Sequence, residues 1–384
     1  KLNTPNKNMN SAGIYIHIPF CKNICNYCDY FTTEKREAEI PQFVEILFRE
    51  FELTATEFNR NWNFDSIYLG GGSPALLLPK YLEFILNNLR DHFSFSKFPE
   101  ITLEINPGEN SLEDLKTFKK MGVNRLSLGF QSLNPEFLTL LTRRHNPDDC
   151  VTIYENARKA EFENISIDML YNIPGQSVTQ LLNNLKTAVE MQPDHIAMYS
   201  LTAEKGTPFY TDIQNGDLSL PDARIEGKMY KQGSQYLRDC RFTQYEVSHF
   251  AKPGKECRHN LHYWKRDPNL AFGPSAHGFD GEKRYWNVAS LDKYIELLSQ
   301  NILPIQDSEF LTEKNKLNEI IMNGLRSNLG VPTSCFDNID DISIQKWECY
   351  LERKNASLFL KPEYFHLADE IVADLIVEEK STTD

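Results

Sequence analysis

No stretch of this 384-residue chain approaches the roughly 18 consecutive apolar residues that a membrane-spanning helix needs. An excess of positive charge is missing too: 41 Lys and Arg stand against 54 Asp and Glu, a formal charge of −13. Such a surface repels phosphate backbones and argues against a nucleic-acid partner, while leaving room for a local pocket that takes a small anion. Cysteine is scarce for a disulfide framework. There are eight, and Cys150, Cys240, Cys257, Cys335 and Cys349 follow no repeated spacing. The opening segment, Lys1 to Ser11, has no apolar core of the kind a signal peptide carries. Met9 is a candidate start, with Lys1–Asn8 an extra segment ahead of it. These absences predict a cytoplasmic protein that does not span a membrane.

What is present reads as globular. Apolar residues make up 41% and charged residues 25%, and the length suits two or three domains. Short β-rich runs recur at 14–18, 66–69, 101–105, 125–128, 165–170 and 195–201. Helical patterns separate them. Val44, Leu47, Phe48 and Phe51 share one helix face behind Pro41, Ser111 with Asp114 forms a cap closed by Gly122, and Asn146-Pro147 and Ser177 open two more helices. Six strand–helix alternations imply parallel units with right-handed crossovers, two short of a complete eight-unit barrel.

Either an open three-quarter barrel or a doubly wound sheet would satisfy that count. Gly-rich, Cys-rich or Asn-rich segments follow five of the runs, and a barrel gathers such segments on the face where active sites are built. The fold class expected is therefore α/β, a (β/α)6 three-quarter, partial TIM barrel. The domains expected are a flexible tail at 1–10, the barrel core at 11–205, a connecting or lid segment at 206–305, and a C-terminal helical domain at 306–384. In that last part helices are predicted over about 312–327 and 342–354, then a hairpin near Leu358–His366 and a final helix, an order similar to a winged helix. Its 8 Lys and Arg against 16 Asp and Glu favour docking to a protein over reading DNA.

Cys21, Cys25 and Cys28 form C-x3-C-x2-C on the loop after the first strand. Three clustered thiols suit a metal centre. A structural zinc ion wants a fourth protein ligand, for which only His17 stands nearby, on the preceding strand. A [4Fe–4S] cluster with three thiolates keeps one iron open to a ligand, and is the favoured reading.

The motif, with Tyr27 before its last cysteine, resembles that of the radical S-adenosylmethionine (radical SAM) enzymes. The runs around Tyr15–Cys21, Tyr68–Pro74, Glu104–Gly108, Gly129–Ser132, Asp168–Gln176 and Tyr245–Trp264 are similar to the oxygen-independent coproporphyrinogen III oxidase family, and most to its heme-chaperone branch, HemW. The resemblance implies a radical SAM barrel, a [4Fe–4S] cluster on Cys21, Cys25 and Cys28, and S-adenosylmethionine (SAM) chelated by the open iron. It implies SAM contacts at Tyr15, Tyr27, Gly71, Gly72, Ser73, Glu104, Gln131, Arg143, Asp168 and Thr202. Glu104 and Asp168 could alternatively be held by a structural partner such as Arg125 or Arg143.

The chain departs from the oxidase pattern at Asp29-Tyr30, where that family carries a fourth cysteine two residues after the third. The departure points away from coproporphyrinogen III dehydrogenase activity. It matches the chaperone branch, which implies heme as bound cargo and a heme-acceptor protein, such as a membrane cytochrome, as partner. A tetrapyrrole-acting radical SAM oxidoreductase or methyltransferase is the alternative. Heme iron takes His, Cys, Met or Tyr. The stretch 249–277 offers His249, Cys257, His259, His262 and His277, with Tyr263 and Trp264 as walls and Arg258 for a propionate, or it lines the SAM site as a lid.

Overall fold

A computed structural model of the chain describes residues 10–57, 62–336 and 341–376. The expected tail, apart from Asn10, and Met9 lie outside them. Six strands form the frame: β1 (Asn10–Ile18), β2 (Trp62–Gly71), β3 (Phe95–Ile105), β4 (Arg125–Gln131), β5 (Ile165–Tyr171) and β6 (His195–Ser200). Each is parallel to the next in sequence order. The barrel reading holds, and six more strands extend its two edges. They are β7 (Thr243–Gln244), β8 (His249–Ala251), β9 (Asn269–Phe272), β10 (His277–Phe279), β11 (Lys283–Asn287) and β12 (Ile305–Phe310). The sheet runs β12-β11-β10-β9-β1-β2-β3-β4-β5-β6-β8-β7. β9 joins β1 in parallel, and β8 joins β6 antiparallel.

Period-2 alternation divides each barrel strand into two faces. Ile14, Ile16, Ile67, Leu69, Ile101, Leu103, Leu126, Leu128, Ile165, Ile167, Ile196 and Met198 are buried in the main apolar core, together with Phe43, Leu47, Phe51, Leu86, Leu115 and Leu185 of the surrounding helices. The intervening positions carry Tyr15, His17, Tyr68, Glu104, Ser127, Asp168 and Tyr199, a polar set. The helices start where side chains can satisfy free backbone N–H groups: Ser111 with Asp114, Asn146 with Asp149 and Ser177 with Gln180 form reciprocal capping boxes. Gly122 ends the helix Leu112–Met121 at φ 106°, a left-handed value that glycine adopts without a Cβ clash.

The C-terminal part departs in detail from the sequence reading. The helix expected over 342–354 stops at Trp347, and Leu351–Lys354 pairs with Ser357–Leu360 as a hairpin upstream of the expected one. Asn355 and Ala356 both hold positive φ, 50° and 58°, the geometry of a two-residue hairpin turn. Alanine in place of the usual glycine hides that turn from sequence reading. Val331–Pro332 completes the small sheet; the helix Glu313–Leu325 packs against it, and the helix Ala368–Leu375 packs against that helix. Among the described residues, no helix is long and apolar enough to cross a membrane.

Candidate functional site

The C-terminal ends of the barrel strands surround a cavity of about 440 Å³. Cys21, Cys25 and Cys28 all line it, as do Tyr27, Gly71, Gly72, Ser73, Glu104, Gln131, Arg143, Asp168 and Thr202. Residues up to 181 positions apart in sequence thus meet at one face. Tyr15 stands apart from this wall: its hydroxyl pairs with His17 Nδ1 at 3.1 Å, and its ring lies against Tyr68 and His259.

The cysteine loop is anchored from several directions. His17 Nε2 lies 2.7 Å from the Phe31 carbonyl, and Asn26 Nδ2 donates to the Leu140 carbonyl at 3.0 Å. Ser73 Oγ approaches Cys21 Sγ at 3.8 Å, and the Arg143 guanidinium reaches Cys25 Sγ at 3.4 Å. Burial pushes the Cys21 thiol up to about 12 and raises Cys28 as well, so ligation would have to displace their protons. Among the described residues, no three His, Cys, Asp or Glu side chains come close enough to hold a single metal ion.

The glycine loop after β2 is shaped by close backbone approach. A Cβ on Gly72 would lie 2.7 Å from the Phe20 carbonyl oxygen and 3.0 Å from Cys21 Sγ; Gly71, at φ 105°, would strike the His17 ring. Glu104 accepts from Tyr68 Oη at 2.9 Å and from Gly71 N at 3.2 Å, and burial lifts its carboxyl to about 7. Asp168 accepts from Ser127 Oγ (2.8 Å) and Ser166 Oγ (2.9 Å) and is also raised by burial. Hydroxyls and one amide therefore hold these carboxylates, while Arg125 acts on both through its charge alone. Gln131 sits at φ 64° beside a register shift between β4 and β5, an irregularity that re-aims side chains at a sheet end.

Arg143 tests whether a SAM carboxylate fits. One terminal nitrogen donates to Asn106 Oδ1 (2.6 Å) and to the Gly129 carbonyl (3.0 Å), but its Nε is buried and lacks a hydrogen-bond partner among the described residues. A buried, unpaired cationic donor beside three thiols and a glycine cradle is what an amino-acid carboxylate needs. Cys21, Cys25 and Cys28 could hold the cluster, and this wall could hold SAM. Asn106, which also donates to Ser73 Oγ at 2.7 Å, was missed in the sequence; its place in Glu104–Gly108 was the available signal.

A second, larger cavity of about 820 Å³ opens at the gap in the barrel, between the β6–β8 edge and the β9–β12 edge. Its walls include Tyr199, His249, Asn260, Tyr263, Trp264, Asn269, His277, Phe279 and Trp286. Tyr199 lines both cavities. Its hydroxyl pairs with His249 Nε2 at 2.6 Å, and His249 Nδ1 lies 2.8 Å from the Glu246 carboxylate. Of the sequence candidates for heme, His249, His277, Tyr263 and Trp264 line this cavity, whereas Cys257, Arg258, His259 and His262 do not. His262 is held between Asp65 (2.6 Å) and Asp267 (2.9 Å).

Comparison with known proteins agrees with this geometry. Residues 15–188 match the model of the radical SAM superfamily. The chain is 35% identical over 326 residues to the "Heme chaperone HemW" of Bacillus subtilis, covering 84% of this chain and 85% of that protein. It is 33% identical over 347 residues to the Lactococcus lactis protein of the same name (90% and 86%). It is 31% identical over 352 residues to the mitochondrial "Radical S-adenosyl methionine domain-containing protein 1" of Danio rerio (90% and 77%). The fold matches coproporphyrinogen III oxidase (HemN) from Escherichia coli with a TM-score of 0.81 at 20% identity, over 96% of this chain and 91% of that one.

Proposed function

Because the chain belongs to the radical SAM superfamily and, within it, to the heme-chaperone HemW family, we propose that it binds heme and passes it to an acceptor protein. The scaffold for this is one [4Fe–4S] cluster on Cys21, Cys25 and Cys28 with SAM bound beside it. The observation that carries the reading is the pairing of two cavities across Tyr199, one lined by the three thiols, the other roomy and aromatic. About 820 Å³ lies in the range of ligand sites, about 300–1,000 Å³, and suits a flat tetrapyrrole.

The cluster, when bound, supplies one-electron reduction and an open iron position for the SAM amino and carboxylate groups. The chain's own residues do the rest. Arg143 orients the carboxylate through its unpaired Nε, Gly71 and Gly72 let the backbone approach, and Glu104 and Asp168 accept hydrogen bonds from SAM polar groups. Tyr15 acts from behind this wall through Tyr68, and Tyr27, Ser73, Gln131 and Thr202 complete it. Asp29-Tyr30 leaves the chain without a fourth cysteine there, and Tyr30 is 67% exposed.

The acceptor is a protein, such as a membrane cytochrome, met from the cytoplasmic side. We assign the barrel core to 11–205, the connecting segment to 206–305 and the acidic C-terminal module to 306–384, and give that module the docking role. The test is anaerobic reconstitution, heme titration and transfer to an apocytochrome. Saturable one-to-one heme binding followed by transfer supports the reading. Absence of heme binding, or coproporphyrinogen turnover with SAM consumption, replaces it with the tetrapyrrole oxidoreductase.

A further inference from the structure

The barrel interior holds a cation that the SAM wall does not use directly. Arg125 opens β4, on the inward face that Ser127 and Gln131 share by alternation, and it is 2% exposed. Its guanidinium keeps its charge at any pH a folded protein meets. Its Nε has no hydrogen-bond partner among the described residues, and neither has Thr102 Oγ1, directly opposite on β3. Cys257 and Glu100 act on Arg125 by charge alone. Glu100 Oε1 is engaged elsewhere, accepting from the His259 backbone N–H at 3.3 Å and lying 3.6 Å from Cys257 Sγ. An apolar side chain of similar volume would fill this space without the cost of desolvating a charge.

The strand register sets that charge one layer beneath the SAM wall. Arg125 stands opposite Thr102, and two residues further on Ser127 stands opposite Glu104 and donates to Asp168 at 2.8 Å. Two carboxylates in one dehydrated space oppose each other's ionisation. Burial raises Glu104 to about 7 and the charge of Asp168 adds to it, against hydrogen bonds from Tyr68 and Gly71. Burial also raises Asp168, against Ser127 and Ser166. Arg125 is the one cation whose field favours the charged form of both. The other titratable groups around the pair are Tyr15, Tyr30, Tyr68 and Tyr199, which burial keeps neutral, and His249, which acts on Asp168 alone.

We propose that Arg125 is a positioning residue of the SAM site, a permanent positive charge that lets Glu104 and Asp168 stand together as carboxylates and accept hydrogen bonds from SAM. The inference rests on the reading that this wall holds SAM. Arg125 lines neither cavity, so it acts through the two carboxylates and not on SAM itself. Its field is felt across a layer because little water lies between to screen it. A charge fixed by the fold also needs no rearrangement when the ligand enters.

SAM binding to the reconstituted full chain is measured by equilibrium dialysis across pH 6 to 9, beside thermal melting of each variant. In wild type, affinity should fall as pH drops through about 7, where Glu104 takes up its proton. Arg125→Met should move that fall upward by on the order of one pH unit. Binding should then weaken several-fold near neutral pH and approach wild type at pH 9. Arg125→Lys should restore the wild-type profile. Titration of SAM's own amino group is common to all variants and cancels in the comparison. A folded Arg125→Met protein with an unmoved profile overturns the proposal, and so does a loss of affinity equal at every pH, which would mark a role in shape alone. Should Arg125→Met fail to fold, Glu104→Gln decides. With Arg125 in place it should remove most of the pH dependence near 7, and an unchanged dependence overturns the proposal. Wild type that binds no SAM at any pH instead removes the reading on which the proposal rests.

Discussion

The two cavities are built in opposite ways. The one at the strand ends is small, and nearly every group on its wall is prearranged: thiols on a short loop, glycines in close backbone contact, carboxylates held by hydroxyls. The one at the barrel gap is about twice as large and lined by aromatic side chains. A site that binds one small cofactor benefits from preorganisation, because fixed dipoles cost nothing at the moment of binding. A site that must release its ligand benefits from breadth and few strong bonds. The contrast predicts that the two cavities can be disabled separately.

The largest effect should come from Cys21→Ala. Removing one of three thiolates should abolish the broad iron–sulfur absorbance of reconstituted protein, while heme still binds the other cavity with an unchanged ligand spectrum. Loss of heme binding in this variant would break the comparison, since it would show that both cavities depend on one centre. Gly72→Ala should come next. Its Cβ would press on the carbonyl oxygens of Phe20 (2.7 Å) and Ile18 (2.9 Å), which cannot move as a side-chain tip can. A cost of about 1–3 kcal/mol in stability is expected, together with poor cluster loading. Thermal melting and iron content measure the two separately.

A pH prediction addresses the short helix Arg258–Lys265 beside the second cavity. Burial opposes charge on His262, but hydrogen bonds to Asp267 and Asp65 outweigh it and lift its pKa from the ordinary 6.5 to about 9. The folded state then holds a proton that the unfolded chain releases. The stabilisation is full below about pH 6.5 and disappears as pH rises through about 9, amounting to about 3 kcal/mol. Urea unfolding between pH 6 and 9.5 should show that decline, and His262→Gln should flatten it. An unchanged slope in the variant would mean that other groups set it.

The same contrast explains how much could be read from the sequence. The cysteine loop was legible because its three thiols lie within eight residues, and the helix caps because Ser111, Asn146 and Ser177 each act on residues two or three positions away. Glu104 and Asp168 were legible as carboxylates inside apolar strands, but their hydroxyl partners were not. The second cavity is assembled from segments between Tyr199 and Asn323, and His262 meets Asp65 across 197 positions. Nothing local marks such pairings. β7 and β8 were hidden for a related reason: strands of two and three residues carry too short an alternation to register as a period.

The smallest expected effect concerns the residue that the two sites share. Tyr199→Phe keeps the ring between the cavities and removes only the hydroxyl that pairs with His249 at 2.6 Å. Losing one hydrogen bond should cost about 0.5–1.5 kcal/mol. The informative readout is linkage. If Tyr199 is a passive partition, heme affinity with and without SAM should be equally related in wild type and in Tyr199→Phe. If the hydroxyl carries coupling, SAM should alter heme affinity in wild type and lose that influence in the variant, and by reciprocity heme should lose the same factor on SAM. Heme titrations in the presence and absence of saturating SAM, for both proteins, decide between them. Equal ratios would confine each cavity to its own task; a ratio that collapses in the variant would make Tyr199 the point through which the fixed site governs the releasing one.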